Sequence, residues 1–302
     1  MNAAVNDMES KAVLLRDEPM AKHTSWRVGG PADIFVKPTS MPALISFLQA
    51  LPPSTPLYWV GLGSNLLVRD GGLRGAVVCT SALPRDLERL DALRVRAAAG
   101  VPCTSLARRC VRWQLGPAAF FAGIPGTVGG ALAMNAGAFE GETWDRVESV
   151  ETIDRQGHVR VRGRDEFKVS YRSVAGPPGQ WFVAATFEFE ADPNTPVSAI
   201  KAMVTKRGEL QPLDRPSAGS VFRNPDEAPA GRLIERAGLK GMRIGGAMVS
   251  EKHANFIVNV GRATAADIES LIEHVQREVR RQFGVELQTE VRVIGEPEGG
   301  QG

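Results

Sequence analysis

Residues 217–225, "SAGSVFRNP", set Ser220 between a glycine and an apolar pair and close on Asn-Pro. A serine so placed can act as a nucleophile, cap a helix, contact phosphate or deliver a proton. The flanks count against the nucleophile. A hydrolase elbow reads GxSxG, and Ala218 and Phe222 stand where the outer glycines belong. His23, His158, His253 and His274 supply no recognisable triad partner.

Two glycine-rich segments can do different chemistry. "GLGSN", residues 61–65, follows an apolar strand as a dinucleotide fingerprint would, but Leu66 occupies the place of the third glycine. A turn signal at Asp70, Gly71 and Gly72 then arrives too soon for a crossover helix, which excludes a Rossmann unit. Successive main-chain N–H groups in such a loop still make an anion-binding nest. In "GIPGTVGGALAMNAGA", Gly123, Gly126, Gly129, Gly130 and Gly137 strip side chains from one surface. Backbone that must approach a flat or anionic ligand needs this, and tight packing explains one or two glycines better than five. Two nests without a P-loop lysine favour a large dinucleotide held mostly by main chain.

The elements that position these loops are legible in part. A glycine turn precedes a strand over Ile34–Val36, and Ser40 caps a short helix with Pro42 near its start. "GAVVCT" and "LRVRAAAGV" read as strands, residues 104–114 as a helix, and "VESVETID", "HVRVRG" and "WFVAATFEFE" as further strands. Residues 191–196, "ADPNTP", form a linker, and an amphipathic helix follows. Thr264 and Asp267 then open a helix carrying Ile268, Leu271, Ile272, Val275, Val279 and Phe283 at helical spacing, and Gly284 stops it. "VELQTEVRVIG" alternates as a strand.

Composition removes several classes. With 302 residues, two or three packed units are expected. A net charge of +2 with no block of like charge excludes a general nucleic-acid binder. Cys79, Cys103 and Cys110 form neither a disulfide framework nor a zinc site, which implies a reducing cytoplasm and no metal. No stretch approaches the roughly 18 apolar residues of a membrane span, so a soluble cytoplasmic protein is expected.

Taken in order, "TSWRVGG", "GLGSNLLV", "GIPGTVGGALAMNAGA", "SYRS", "AGSVFRNP", "AGLKGMRIGGAMVSEKHANFIVN" and "ELQTEVRVIG" resemble the UDP-N-acetylenolpyruvoylglucosamine reductase (MurB) family over residues 22–295. The resemblance implies an α+β fold: an FAD-binding module of the vanillyl-alcohol-oxidase (PCMH) type in two subdomains, then a C-terminal substrate domain. The expected boundaries are an extension at 1–21, FAD subdomains at 22–80 and 81–191, the substrate domain at 192–296 and a disordered tail at 297–302. It also implies non-covalent FAD, NADPH as hydride donor, and UDP-N-acetylglucosamine enolpyruvate as the substrate reduced to UDP-N-acetylmuramate for peptidoglycan. A monomer is expected, with no nucleic-acid or membrane partner. Gly61, Leu62, Gly63, Ser64, Asn65 and Leu66 match one FAD segment. Gly123, Ile124, Pro125, Gly126, Thr127, Gly129, Gly130, Asn135, Ala136 and Gly137 match the other.

The same resemblance places chemistry at Arg172, Ser220 and Glu290. Read by themselves, Arg172 is a surface arginine, Ser220 a turn or cap residue, and Glu290 a member of a polar strand face. In the implied reaction, hydride from flavin N5 adds to an alkene carbon and negative charge develops at its neighbour and the carboxylate. A permanently cationic fork at Arg172 stabilises that charge, and Ser220 delivers the proton to carbon. An ionised Glu290 would oppose the charge, so Glu290 either carries a proton or orients its partners. Asn224 matches a substrate-contacting position, and Arg207 and Gln211 are candidate diphosphate or sugar contacts. Leu210 stands where many members carry a lysine, a contact that Arg207 or Lys206 could replace. His253 reads as structural. The chain resembles the shorter subtype, without the insertion whose tyrosine closes over substrate. The alternatives are an FAD-dependent oxidase of another small polar substrate and a non-enzymatic nucleotide-binding protein.

Overall fold

A computed structural model describes residues 12–299. The described chain divides into two compact units whose segments interleave: 12–16, 34–61 and 75–205 form the first, and 17–33, 62–74 and 206–299 the second. The expected partition is linear. The difference arises because two early segments find their apolar partners far downstream. Of the expected tail, residues 297–299 are described and include a turn, while 300–302 lie outside the described residues.

The first unit is built on a five-stranded antiparallel sheet in the order Val159–Gly163, Val147–Asp154, Gln180–Glu188, Arg94–Ala98, Leu87–Arg89. The helices Cys103–Arg112 and Val128–Met134 supply Leu106, Cys110, Val128 and Leu132 to the core on which Phe121, Trp144 and Phe187 pack. Burial pushes the thiols of Cys103 and Cys110 up to about 12, so both are packing groups and not thiolates. The same unit holds most of a four-stranded sheet, in which Leu57–Val60 runs parallel to Leu73–Cys79. The helix Met41–Ala50 covers a core of Val36, Leu44, Phe47, Leu48 and Val78. Ser40 accepts from the Ala43 N–H at 3.2 Å, so the expected cap is present.

In the second unit, the antiparallel sheet Arg243–Ile244, Ala247–Val249, Ile257–Asn259 packs with the helices Ala230–Arg236 and Ala265–Phe283. Ile268, Leu271, Ile272, Val275 and Val279 are buried at the expected spacing. Each such side chain contributes about 1.5–3 kcal/mol of transfer free energy. Thr264 and Asp267 form the capping box, and Gly284 closes the helix with φ 71°. Trp26 is fully buried here and donates its indole N–H to the Ile257 carbonyl at 2.7 Å. Asn259 returns a hydrogen bond to the Trp26 carbonyl at 3.1 Å. These contacts join residues 17–33 to the C-terminal segment.

One expected strand is interrupted. Residues 285–288 alternate buried and exposed as the pattern demands and Thr289 and Glu290 are both partly buried, yet regular pairing is confined to Arg292–Ile294, parallel to Leu66–Val68. Upstream, only Thr289 pairs, in an isolated antiparallel bridge to Phe222. The segment changes partner between the two pairings, and Glu290 sits at the change. No described helix is long and apolar enough to cross a membrane.

Candidate active site

In the first unit, the segment 123–137 is a short helix between two tight approaches. Its glycines answer in part to the protein's own packing. A Cβ on Gly123 would meet Ala138 Cβ at 2.6 Å, on Gly129 Ala99 Cβ at 2.9 Å, and on Gly137 the Gly141 carbonyl at 2.5 Å. Those three are required by the protein's own packing. Gly61 and Gly130 differ. A Cβ on Gly61 would fall 2.6 Å from the Thr127 hydroxyl, and one on Gly130 would meet nothing nearer than the same oxygen at 3.9 Å. Thr127 Oγ1 is itself buried and has no hydrogen-bond partner among the described residues. A buried hydroxyl lacking a partner is costly, and two bare glycines beside it leave room for an acceptor. This corner fits a bound dinucleotide.

Arg172 lies in the turn of a hairpin, Lys168–Ser170 paired with Ser173–Ala175, and has φ 53°. A left-handed arginine costs about 1–2 kcal/mol, and hydrogen bonds hold it. Its guanidinium donates to the carbonyls of Asn135 at 3.1 Å and Gly137 at 3.2 Å, and lies 3.5 Å from a Glu142 oxygen. It also lies over the Tyr171 ring at 4.7 Å. A lone surface arginine would show none of this.

In the second unit, Ser220 follows Gly219, whose φ is 76°, and leads into the stretch 221–223. Asn255 fixes that stretch. Its carbonyl accepts from the Val221 N–H at 2.9 Å, and its buried side chain pairs with both main-chain groups of Phe222, at 3.0 and 2.8 Å. Val221 in turn accepts from the Glu290 N–H at 2.8 Å, and Arg223 donates its N–H to Gln288 at 2.9 Å. Ser220 and Glu290 therefore stand on neighbouring backbone. Asn65, in a turn, adds a third segment: its side-chain amide donates to the Glu290 carbonyl at 3.0 Å. Gly63 has φ 63°, and a Cβ there would strike the His23 carbonyl at 2.0 Å, so the loop demands glycine.

The remaining candidates are more local. Asn224 is exposed, and its side-chain oxygen accepts from Ala230 N–H at 3.0 Å, which ties the loop to the start of the next helix. Arg207 is half-buried, and its Nε donates to Gln211 at 2.7 Å, one helical turn on. Burial lowers the guanidinium below its usual value. Leu210 is exposed. His253 packs edge-on against Phe256 with ring centroids 4.8 Å apart, a structural role. Asn255 and Glu142 were not singled out from the sequence. Their work is to hold main chain and another side chain, which residue type alone does not signal.

Residues 211–294 match the family described as UDP-N-acetylenolpyruvoylglucosamine reductase, C-terminal domain, and residues 32–162 match an FAD binding domain. A UDP-N-acetylenolpyruvoylglucosamine reductase of Alkalilimnicola ehrlichii is 56% identical over 92% of this chain and 94% of the relative. The chain belongs to the UDP-N-acetylenolpyruvoylglucosamine reductase family. A reductase of the same name from Methylococcus capsulatus is 53% identical over 98% of this chain and 97% of its own. The crystal structure of the Thermus caldophilus reductase superposes with a TM-score of 0.78 at 32% identity, covering 94% of this chain and 98% of that one. The α+β fold of this reductase, an FAD-binding module plus the C-terminal domain, agrees with the sequence expectation.

Proposed function

We propose that this chain reduces UDP-N-acetylglucosamine enolpyruvate to UDP-N-acetylmuramate in peptidoglycan synthesis, using NADPH through non-covalent FAD. The near-full-length match to reductases of that name carries the reading, and the local chemistry is consistent with it. Bound FAD supplies the hydride donor that NADPH recharges. Thr127, Gly61 and Gly130 would receive part of the dinucleotide. Arg172 presents a fixed cation to the carboxylate on which negative charge develops, where a pre-oriented donor is worth most. Ser220 delivers a proton to carbon, and the Asn255 clamp keeps its backbone from moving during transfer. Glu290, held through its own main chain, either carries a proton or orients its partners. Asn224 and the Arg207–Gln211 pair contact the nucleotide sugar or diphosphate, Arg207 standing in for the lysine replaced by Leu210. The reaction is cytoplasmic and the enzyme a monomer.

Anaerobic stopped flow tests this directly. NADPH should bleach the flavin absorbance, and the enolpyruvyl nucleotide alone should restore it. Reoxidation by oxygen only, with peroxide formed from some other substrate, would favour the oxidase alternative.

A further inference from the structure

Asn135 is an unusual residue to find at the hub of a catalytic wall. It ends the helix Val128–Met134 in the left-handed region, with φ 46° and ψ 53°, and is only 2% exposed. Its side chain is fully engaged by protein. Oδ1 accepts from the Trp144 N–H at 3.1 Å, and Nδ2 donates to Glu142 at 2.7 Å and to the Ser170 carbonyl at 3.3 Å. Its own carbonyl is an acceptor for Arg172. Asparagine is the side chain that tolerates this backbone while offering donors and an acceptor together. Ser170 is paired with Ser173 across the two-residue turn that contains Arg172, so the side chain of Asn135 holds the strand end leading into that turn while its main-chain carbonyl receives the guanidinium.

Glu142 completes the arrangement. One of its oxygens takes the Asn135 amide and the other lies 3.5 Å from Arg172 Nη1. Gly137 supplies the second carbonyl, and a Cβ there would come within 3.2 Å of Arg172 Nη1. The guanidinium thus sits in a nest of two carbonyls and one carboxylate that Asn135 assembles.

We propose that Asn135 is a positioning residue for Arg172, and that Glu142 acts with it. The sequence resemblance puts Asn135 among the FAD contacts, whereas its side chain serves the arginine that meets the substrate carboxylate. The inference rests on the assignment of Arg172 under the proposed function, and the two fail differently.

The test is chemical rescue, read as the rate of flavin reoxidation by the enolpyruvyl substrate. Arg172→Gly keeps the left-handed turn and removes the fork, and should slow reoxidation on the order of 100-fold. Guanidinium chloride at sub-denaturing concentration, against potassium chloride at equal ionic strength, should restore about tenfold by occupying the nest. In Arg172→Gly/Asn135→Gly, which retains the backbone conformation, and in Arg172→Gly/Glu142→Gln, rescue should vanish. The second double variant covers the case in which the first does not fold. Reoxidation at the parent rate in Arg172→Gly removes Arg172 from its role. Slow reoxidation that guanidinium rescues equally in all three variants, or in none, overturns the positioning role and leaves the Arg172 assignment standing.

Discussion

The side chain of Asn65 donates to the main-chain carbonyl of Glu290 at 3.0 Å, while the Asn65 carbonyl accepts from the Arg292 N–H, also at 3.0 Å. The loop that the family resemblance gives to FAD therefore also fixes the peptide on which Glu290 sits. Losing one such bond costs about 0.5–1.5 kcal/mol, up to roughly tenfold in a rate that depends on geometry. Asn65→Ala is expected to slow flavin reoxidation by that factor with little change in KM for the nucleotide. An unchanged reoxidation rate in flavin-loaded protein would detach Asn65 from Glu290 function.

The role proposed for Ser220 separates the two half-reactions. A positioned proton donor contributes about 10²–10⁴-fold, and only the step that protonates carbon uses it. Ser220→Ala should leave flavin bleaching by NADPH intact and slow reoxidation by substrate within that range. Equal damage to both steps, measured in the same stopped-flow experiment, would take Ser220 out of the role.

Glu290→Gln distinguishes its two readings. If Glu290 carries the proton that titrates during turnover, the rate–pH profile for substrate reduction changes shape in the variant. An identical profile with a lower plateau leaves orientation as its role.

What the sequence made legible is what short spacings encode. The cap at Ser40, the box of Thr264 and Asp267, and the stop at Gly284 all lie within one turn of their partners. The apolar face of Ile268 to Val279 follows from the 3.6-residue period. The interleaved units were hidden because Trp26 reaches Ile257, a partner that no local pattern announces. Alternation along 285–293 suggested one strand, since alternation reports which side is buried and not which chain is paired. The glycines of 123–137 were legible as unusual but not as to cause: Gly123, Gly129 and Gly137 answer to packing, and Gly130 does not. Arg172, Ser220 and Glu290 came from motif resemblance alone; their local chemistry is neutral until Asn135 and Asn255 are seen holding their surroundings.

Asp70 caps the helix Ala265–Phe283 from nearly two hundred residues away. Its two oxygens accept from the N–H groups of Ala265 and Ala266, each at 2.9 Å, beside the Arg69–Glu269 pair at 2.7 Å. An acidic group on the first turn satisfies orphan donors and faces the positive end of the helix. Asp70→Ala should cost about 1–2 kcal/mol, seen as a lower denaturation midpoint with an unchanged slope. A midpoint equal to the parent's would show that Thr264 and Asp267 suffice.

His253 should make the protein lose stability on mild acidification. Burial is the largest cause lowering it from its usual 6.5; a backbone hydrogen bond opposes, Lys240 lowers it further and Glu235 opposes. The Asn255 N–H donates to its Nδ1 at 3.3 Å, which requires that nitrogen unprotonated and so favours the neutral ring. As pH falls below 6.5 the unfolded chain takes up this proton first. The contribution is therefore complete above that pH and is lost on the way down to the lower folded value. His253→Gln keeps an acceptor and removes the titration. Denaturant curves at about pH 8 and about pH 5 should then differ less in the variant than in the parent. An equal loss in both would assign the acid sensitivity to other groups.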